Sequence, residues 1–204
     1  MKYKKLQLPL TAVLLVVAIC LSALLVAAIA SAQDKANTKP IVERVPEKQL
    51  IDDLNRHVKD YLKQRQRVKA KLPSISKDAT PEQIDAYQKS FVEGLRAMRA
   101  GTKAGYIFNK ETAVYLRTII KTELPPREKA EIREVVLEAD TKGVPLRINY
   151  PYPDTKELTQ MPPTLLLKLP QLPKEVKYRY VGRHLTLIDS DNGLIVDYML
   201  NALP

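Results

Sequence analysis

The pattern of apolar and polar positions divides the chain into three parts. Residues 11–30 are almost wholly apolar. Over residues 47–142, apolar side chains recur at three- and four-residue steps, which predicts a helical region of about four helices. Over residues 143–204, alternating apolar and polar positions lie between Gly-, Asn- and Pro-containing turns, which predicts short strands. We therefore expect an α+β fold, in which the helices precede a small antiparallel β-meander and pack with it as one domain.

Local signals place the helix boundaries in the helical region. Thr80, Pro81 and Gln83 form the pattern of a capping box with proline in the first turn. Asn109 is a candidate N-cap, and Gly94, inside the second helix, indicates a close helix crossing. The predicted helices span residues 47–72, 81–100, 110–123 and 127–140.

The β-rich module begins with a predicted strand over residues 144–150, where Leu146 and Ile148 alternate with polar neighbours. Prolines are then dense up to Pro173, which predicts a rigid, irregular segment with one short helical turn starting at Pro163. Three further strands are expected, separated by turns at Gly182-Arg183 and at residues 191–193.

The N-terminal residues have the layout of an export signal. Lysines at positions 2, 4 and 5 precede the apolar run, and Ala30-Ser31-Ala32 has the small-residue pattern of a cleavage site. We predict a signal peptide over residues 1–32, cleaved after Ala32, and a flexible spacer over residues 33–46. The apolar run is also long enough to span a bilayer, so an uncleaved anchor over residues 10–30 is the alternative. Both interpretations predict an exported protein, either periplasmic or secreted or else membrane-anchored with the remainder outside the cytoplasm.

Composition excludes several kinds of active site. The only cysteine is Cys20, within the apolar run, so the exported part has no disulfide, thiolate metal site or cysteine nucleophile. The two histidines, His57 and His184, are far apart in sequence, and neither a phosphate loop nor a G-x-S-x-G motif is present. We therefore predict a non-enzymatic envelope protein with no cofactor, either a protein-binding or a structural module.

The first predicted helix carries a basic stripe opposite its apolar one. We expect it to attract an anionic partner, either an acidic protein or an anionic membrane surface, although a solvated outer face is the simpler interpretation. Export disfavours nucleic acid, and no aromatic residues are interleaved with the cations. Arg65 falls within the apolar stripe, so we expect either imperfect burial or a side chain that reaches out to solvent. The candidate anionic-partner surface comprises Arg56, Lys59, Lys63, Arg67 and Lys71.

Three aspartates near the last hairpin supply an alternative hypothesis. Asp189, Asp191 and Asp197 are candidates for the acid/base pair of a carboxylate-dependent hydrolase. The simpler interpretation makes them turn residues and a cross-strand partner for Lys177 or Arg179.

The C-terminal module contains VPLRINYPYPD and then MPPTLLLKLPQLPKEVKYRYVGRHLTLIDSDNGLIVDYM. In this order of motifs it resembles a group of exported bacterial proteins of uncharacterised function. The resemblance covers less than a third of the chain and implies an intact module without a known activity. Its strands carry a candidate interaction module of Arg147, Arg179 and Arg183.

Overall fold

Helices come first and strands last in the described part of the chain. The computed structural model describes residues 45–124, 126–139, 141 and 144–203. The predicted signal over 1–32, its cleavage site after Ala32 and the spacer as far as residue 44 lie outside the described residues. This arrangement confirms the predicted α+β class with a small β-meander. The elements are α1 (Glu47–Lys69), α2 (Pro81–Met98), α3 (Lys110–Glu123), α4 (Pro126–Glu138), α5 (Pro163–Leu166), β1 (Val176–Val181), β2 (His184–Asp189) and β3 (Ile195–Met199).

Two helices begin at the caps that the sequence predicts. In the capping box of α2, Thr80 N–H donates to Gln83 Oε1 at 2.9 Å and Gln83 N–H donates to Thr80 Oγ1 at 3.4 Å. At α3, Thr112 N–H donates to Asn109 Oδ1 at 2.8 Å. These bonds satisfy backbone donors that have no partner inside the helix. Among the described helices, none is both long enough and apolar enough to cross a membrane.

α1 and α2 approach each other closely at Gly94, as the sequence predicts. A Cβ atom at Gly94 would lie 2.7 Å from Cγ1 of Val68, well inside van der Waals contact. Val68 is buried in the core, and its β-branched side chain has few alternative rotamers. The missing side chain of Gly94 therefore sets the distance between the two helices.

The three strands form one antiparallel sheet in the order β1-β2-β3. Tyr178 pairs with Leu187, and Leu185 pairs with Met199. A register shift between Leu187 and Ile188 marks an irregularity in the β2–β3 ladder. Gly182, with φ 52°, makes the β1–β2 turn in the left-handed region that favours glycine.

Apolar side chains cover both faces of the sheet. One face shares the main core with α1, α2, α3 and α4, and includes Tyr178, Tyr180 and Leu187. On the other face, Ile188 and Ile195 form a second cluster with residues from 144–158. Residues Val45 to Pro204 form one compact unit, which includes both the helices and the sheet.

The predicted strand over residues 144–150 is wrong. Residues 148–150 form a turn, in which Tyr150 N–H donates to the Arg147 carbonyl at 3.3 Å. Asn149 has φ 64°, a left-handed value that ends an extended run and that Asn tolerates better than most residues. Its side chain is held by the Arg99 backbone and guanidinium, so tertiary contacts override the alternating pattern.

The segment that begins in this turn crosses the outer face and reaches both edges of the sheet. Pro151 forms an isolated bridge with Leu194 beside β3, and Thr159 forms one with Tyr180 of β1. We call residues 149–159 the strap. The proline-dense segment follows it and contains α5, the helical turn predicted to start at Pro163.

We predict that Gly94→Ala destabilises the protein, although alanine favours helices by about 1 kcal/mol over glycine. The new methyl group overlaps Val68, and overpacking of this kind costs roughly 1–3 kcal/mol. In a Val68→Ala background the same change should become neutral or stabilising, which urea unfolding of all four variants would measure. Gly101→Ala is the control, because nothing lies within 4 Å of a Cβ there. A destabilisation by Gly94→Ala that is equal in both backgrounds would contradict the close crossing.

Candidate functional site

The basic stripe of α1 lies on the protein surface. Arg56, Lys59, Lys63 and Arg67 are exposed along the helix, and Lys71 is exposed in the turn that follows Lys69. On the opposite side of α1, Leu54, Val58 and Val68 are buried in the core. The structure therefore places all five predicted residues on one accessible face.

Two of these five cations are paired with carboxylates on the same helix. Arg56 Nη2 lies 2.7 Å from Asp53 Oδ1, and Lys63 Nζ lies 3.0 Å from Asp60 Oδ1. The hydrogen bond from Lys63 lowers the pKa of Asp60. Such exposed pairs add little to stability, but each one cancels a charge of the face.

The other three cations supply the net positive charge of the face. Lys59, Arg67 and Lys71 have no carboxylate oxygen within 4.0 Å among the described residues. We call these three the unpaired cations of α1.

An exposed aromatic ring lies beside the N-terminal half of this face. The ring centroids of Tyr106 and His57 are 4.6 Å apart, with the planes tilted by 48°. Tyr106 is 39% exposed, although its neighbours Ile107 and Phe108 are buried. The loop before α3 therefore presents a tyrosine next to the basic helix, a contact that no local sequence pattern predicts.

The three arginines of the candidate interaction module contact different parts of the chain. The Cζ atom of Arg147 lies 3.9 Å from the ring centroid of Tyr150. Arg179, half-buried on β1, donates to the Tyr178 carbonyl at 2.8 Å, and desolvation lowers its pKa. Arg183, in the β1–β2 turn, donates to the Leu203 carbonyl at 3.2 Å. Arg179 and Arg183 thus donate to backbone carbonyls, whereas Arg147 contacts an aromatic ring.

Arg65 is buried, so the prediction that it is imperfectly buried or reaches out to solvent is wrong. Its side chain is 7% exposed, and its Nε lies 2.8 Å from Oδ2 of Asp189, which is fully buried. The hydroxyl of Tyr61, one turn earlier on α1, donates to the same oxygen at 2.6 Å. Burial and the Asp189 carboxylate raise the pKa of Tyr61 well above its usual value, so the phenol keeps its proton.

Asp191 extends this cluster to the surface. Its Oδ2 accepts a hydrogen bond from Nη2 of Arg65 and another from Nζ of Lys69, the latter at 3.2 Å. Desolvation acts to raise the pKa of Asp191, but the hydrogen bond from Lys69 and the charge of Arg65 hold it below its usual value. The ends of α1 and of the last hairpin are therefore joined by an ion-pair network that runs from the core to solvent.

Asp197 is buried and bound by backbone N–H groups from the loop before α3. Gly105 N–H donates to Oδ1 at 2.8 Å, while Ile107 and Phe108 N–H donate to Oδ2 at 2.6 and 2.8 Å. Desolvation raises the pKa of Asp197, and these hydrogen bonds oppose that rise. The carboxylate fixes the loop that presents Tyr106.

Asp189 is a turn residue, as one interpretation predicted, because Asp191 N–H donates to its Oδ1 at 3.0 Å. The prediction of a cross-strand partner in Lys177 or Arg179 is wrong, because the carboxylates of Asp189 and Asp197 instead contact Arg65, Tyr61 and the loop before α3. Two of the three aspartates considered for a hydrolase, Asp189 and Asp197, are fully buried and engaged in contacts within the protein. In the described part of the chain, no group of three His, Cys, Asp or Glu side chains is arranged to hold a metal ion.

The comparisons with known proteins give no relative: no family model, curated protein or solved structure matches the chain.

We predict that Asp189→Asn lowers the free energy of unfolding by about 3–5 kcal/mol, because it removes the fully buried counter-ion of Arg65. Asp191→Asn removes a carboxylate from the exposed end of the same network, and its loss should not exceed about 1 kcal/mol. Urea unfolding of the exported protein measures both. Equal, small losses in the two variants would show that the buried ion pair contributes no more than its exposed extension.

Proposed function

We propose that this chain is an exported envelope protein that acts by binding rather than by enzymatic chemistry. In this proposal, the exposed basic face of α1 is its contact surface for an anionic partner. The observation that carries the proposal is the arrangement of Lys59, Arg67 and Lys71, which are exposed together and unpaired with described carboxylates. The engagement of Asp189 and Asp197 inside the protein favours binding over the carboxylate-dependent hydrolase.

An anionic membrane surface is the partner that the geometry favours. Tyr106, exposed beside His57 of α1, is an amphipathic side chain of the kind enriched where proteins meet lipid head groups. A basic residue near an anionic membrane surface contributes about 1 kcal/mol, so three unpaired cations contribute about 3 kcal/mol. This amount supports reversible association, which a second membrane contact would strengthen. An acidic protein is the alternative partner, since its surface is negatively charged like that of an anionic membrane.

The export part of the proposal rests on the sequence of residues 1–32. We predict that the protein recovered from the envelope begins at Gln33, because signal peptidase reads the Ala30-Ser31-Ala32 site. N-terminal sequencing and intact mass measure this. Recovery of the intact N terminus in a membrane fraction that resists high salt would support the anchor instead, and recovery from the cytoplasm would contradict export.

We predict that reversing the unpaired cations of α1, in the triple variant K59E, R67E and K71E, abolishes binding to anionic vesicles. Removing about 3 kcal/mol of attraction weakens binding by roughly a hundredfold, and the new negative charges add repulsion. Co-sedimentation with vesicles that contain phosphatidylglycerol measures the loss, and neutral phosphatidylcholine vesicles give the background.

The matched control reverses three exposed cations on other elements, in the variant K110E, R133E and K174E. The net charge of the two variants is identical, so only the position of the charges differs. The proposal requires that the control still binds and that salt weakens the wild-type association. Equal loss of vesicle binding in both variants would show that binding depends on the net charge of the protein and not on the position of the cations. Unchanged binding of the α1 variant would rule out the basic face as the contact surface.

A further inference from the structure

A groove lies between the C-terminal end of α2 and the turn at residues 148–150. It has a volume of about 480 Å³, within the range of small-molecule sites. Ala97 of α2 and Ala100, just beyond the end of that helix, line one side, and their short side chains leave the space open. Arg96 lines it from α2, and Tyr150 lines it from the turn. The groove uses none of the residues of the basic α1 face.

The turn brings two guanidinium groups to a single aromatic ring. Because Tyr150 N–H bonds to the Arg147 carbonyl, the side chains of these two residues leave the turn close together. The Cζ atoms of Arg96 and Arg147 lie 4.0 and 3.9 Å from the ring centroid of Tyr150, distances typical of cation–π contacts. Nη2 of Arg96 also donates to the Tyr150 hydroxyl at 2.7 Å. The ring thus fixes the positions of two like charges.

Neither of these arginines has a carboxylate partner among the described residues within 4.0 Å. An arginine has five N–H donors. One donor of Arg96 reaches Tyr150, and within the described part of the chain the Arg147 guanidinium donates no hydrogen bond. Most of these donors therefore have no acceptor among the described residues. Arg96 lines the groove itself, and Arg147 immediately precedes the lining residue Ile148.

A third arginine adds positive charge behind the groove. Arg99, one turn after Arg96, is 1% exposed. It donates to the side chains of Asn149 and Gln64 and to the Val196 carbonyl, all neutral acceptors. Across the residues that the structure describes, no carboxylate oxygen lies within 4.0 Å of it. A buried cation without an adjacent counter-ion is costly, and its field is weakly screened. Asn149, which it holds, also lines the groove.

We propose that this groove binds a small ligand through an oxyanion group, a carboxylate or a phosphate, which Arg96 and Arg147 receive beside the ring of Tyr150. Glu93 also lines the groove, but it forms no ion pair within 4.0 Å with either arginine, so an oxyanion would be the adjacent counter-ion that they lack among the described residues. Guanidinium groups bind both kinds of oxyanion through paired N–H donors. The groove next to the oxyanion holds the rest of the ligand against Ala97 and Ala100.

Nuclear magnetic resonance titrations of the exported protein, with inorganic pyrophosphate in one arm and citrate in the other, test this site. We expect saturable shifts that centre on the side-chain Nε–H groups of Arg96 and Arg147 and on the amides of residues 148–150 and Thr102. Arg147→Gln should weaken binding at least tenfold, and because Arg147 is exposed, this variant should keep the fold. Arg96→Gln should weaken it similarly, and Arg96→Lys should recover only part of the affinity, because lysine lacks the planar pair of donors.

Two controls separate this site from general attraction to a basic protein. Arg133→Gln removes an exposed arginine from α4, and the K59E, R67E and K71E variant removes the basic face of α1. Both should bind the probes as the wild type does, so the failure of this proposal is distinguishable from failure of the membrane-binding one. A preference for pyrophosphate or for citrate would identify the ligand group as phosphate or carboxylate. The proposal is overturned if neither probe saturates, if the shifts centre on α1, or if Arg147→Gln binds with unchanged affinity.

Discussion

The contact between Arg65 and Asp189 is the interaction on which the arrangement of helices and sheet depends. It joins the C-terminal part of α1 to the last residue of β2, across 124 positions of sequence. Both side chains are buried, so each compensates the desolvation of the other, and Tyr61 and Asp191 supply further hydrogen bonds and charge. An apolar contact at the same place would tolerate sliding. A buried ion pair with several directed hydrogen bonds defines one relative position of α1 and the hairpin.

Two other buried polar groups attach loops to the sheet in the same way. Asp197 accepts hydrogen bonds from the loop before α3, and Arg99 holds the turn at Asn149. Both loops lie next to the surfaces to which we assign binding, because one presents Tyr106 and the other presents Tyr150. The positions of these two rings are thus set from the core, by charged groups that solvent does not reach.

Local sequence signals predicted most of the helices and the meander, because periodicity, caps and turn residues act over a few positions. The capping box at Thr80 and the close approach at Gly94 are examples. The exposure of the basic face of α1 was likewise predicted from helical periodicity. The partner of Arg65 was not, since nothing near residue 65 indicates a carboxylate on a distant strand. The one local indication was an arginine inside an apolar stripe, which is explained by a buried counter-ion. At residues 144–150 the alternating pattern failed because contacts with Arg99 stabilise a left-handed Asn149.

The strap has a consequence for whether the sheets of two molecules can pair with each other. A three-stranded sheet has two outer strands, and each leaves a row of backbone donors and acceptors that a strand from another molecule can extend. Here one continuous segment bonds to β1 at Thr159 and beside β3 at Pro151. Proline has no N–H to offer at the second of these places. The same eleven or so residues that cover the outer face thus interrupt both routes by which such a small sheet would grow into an intermolecular one.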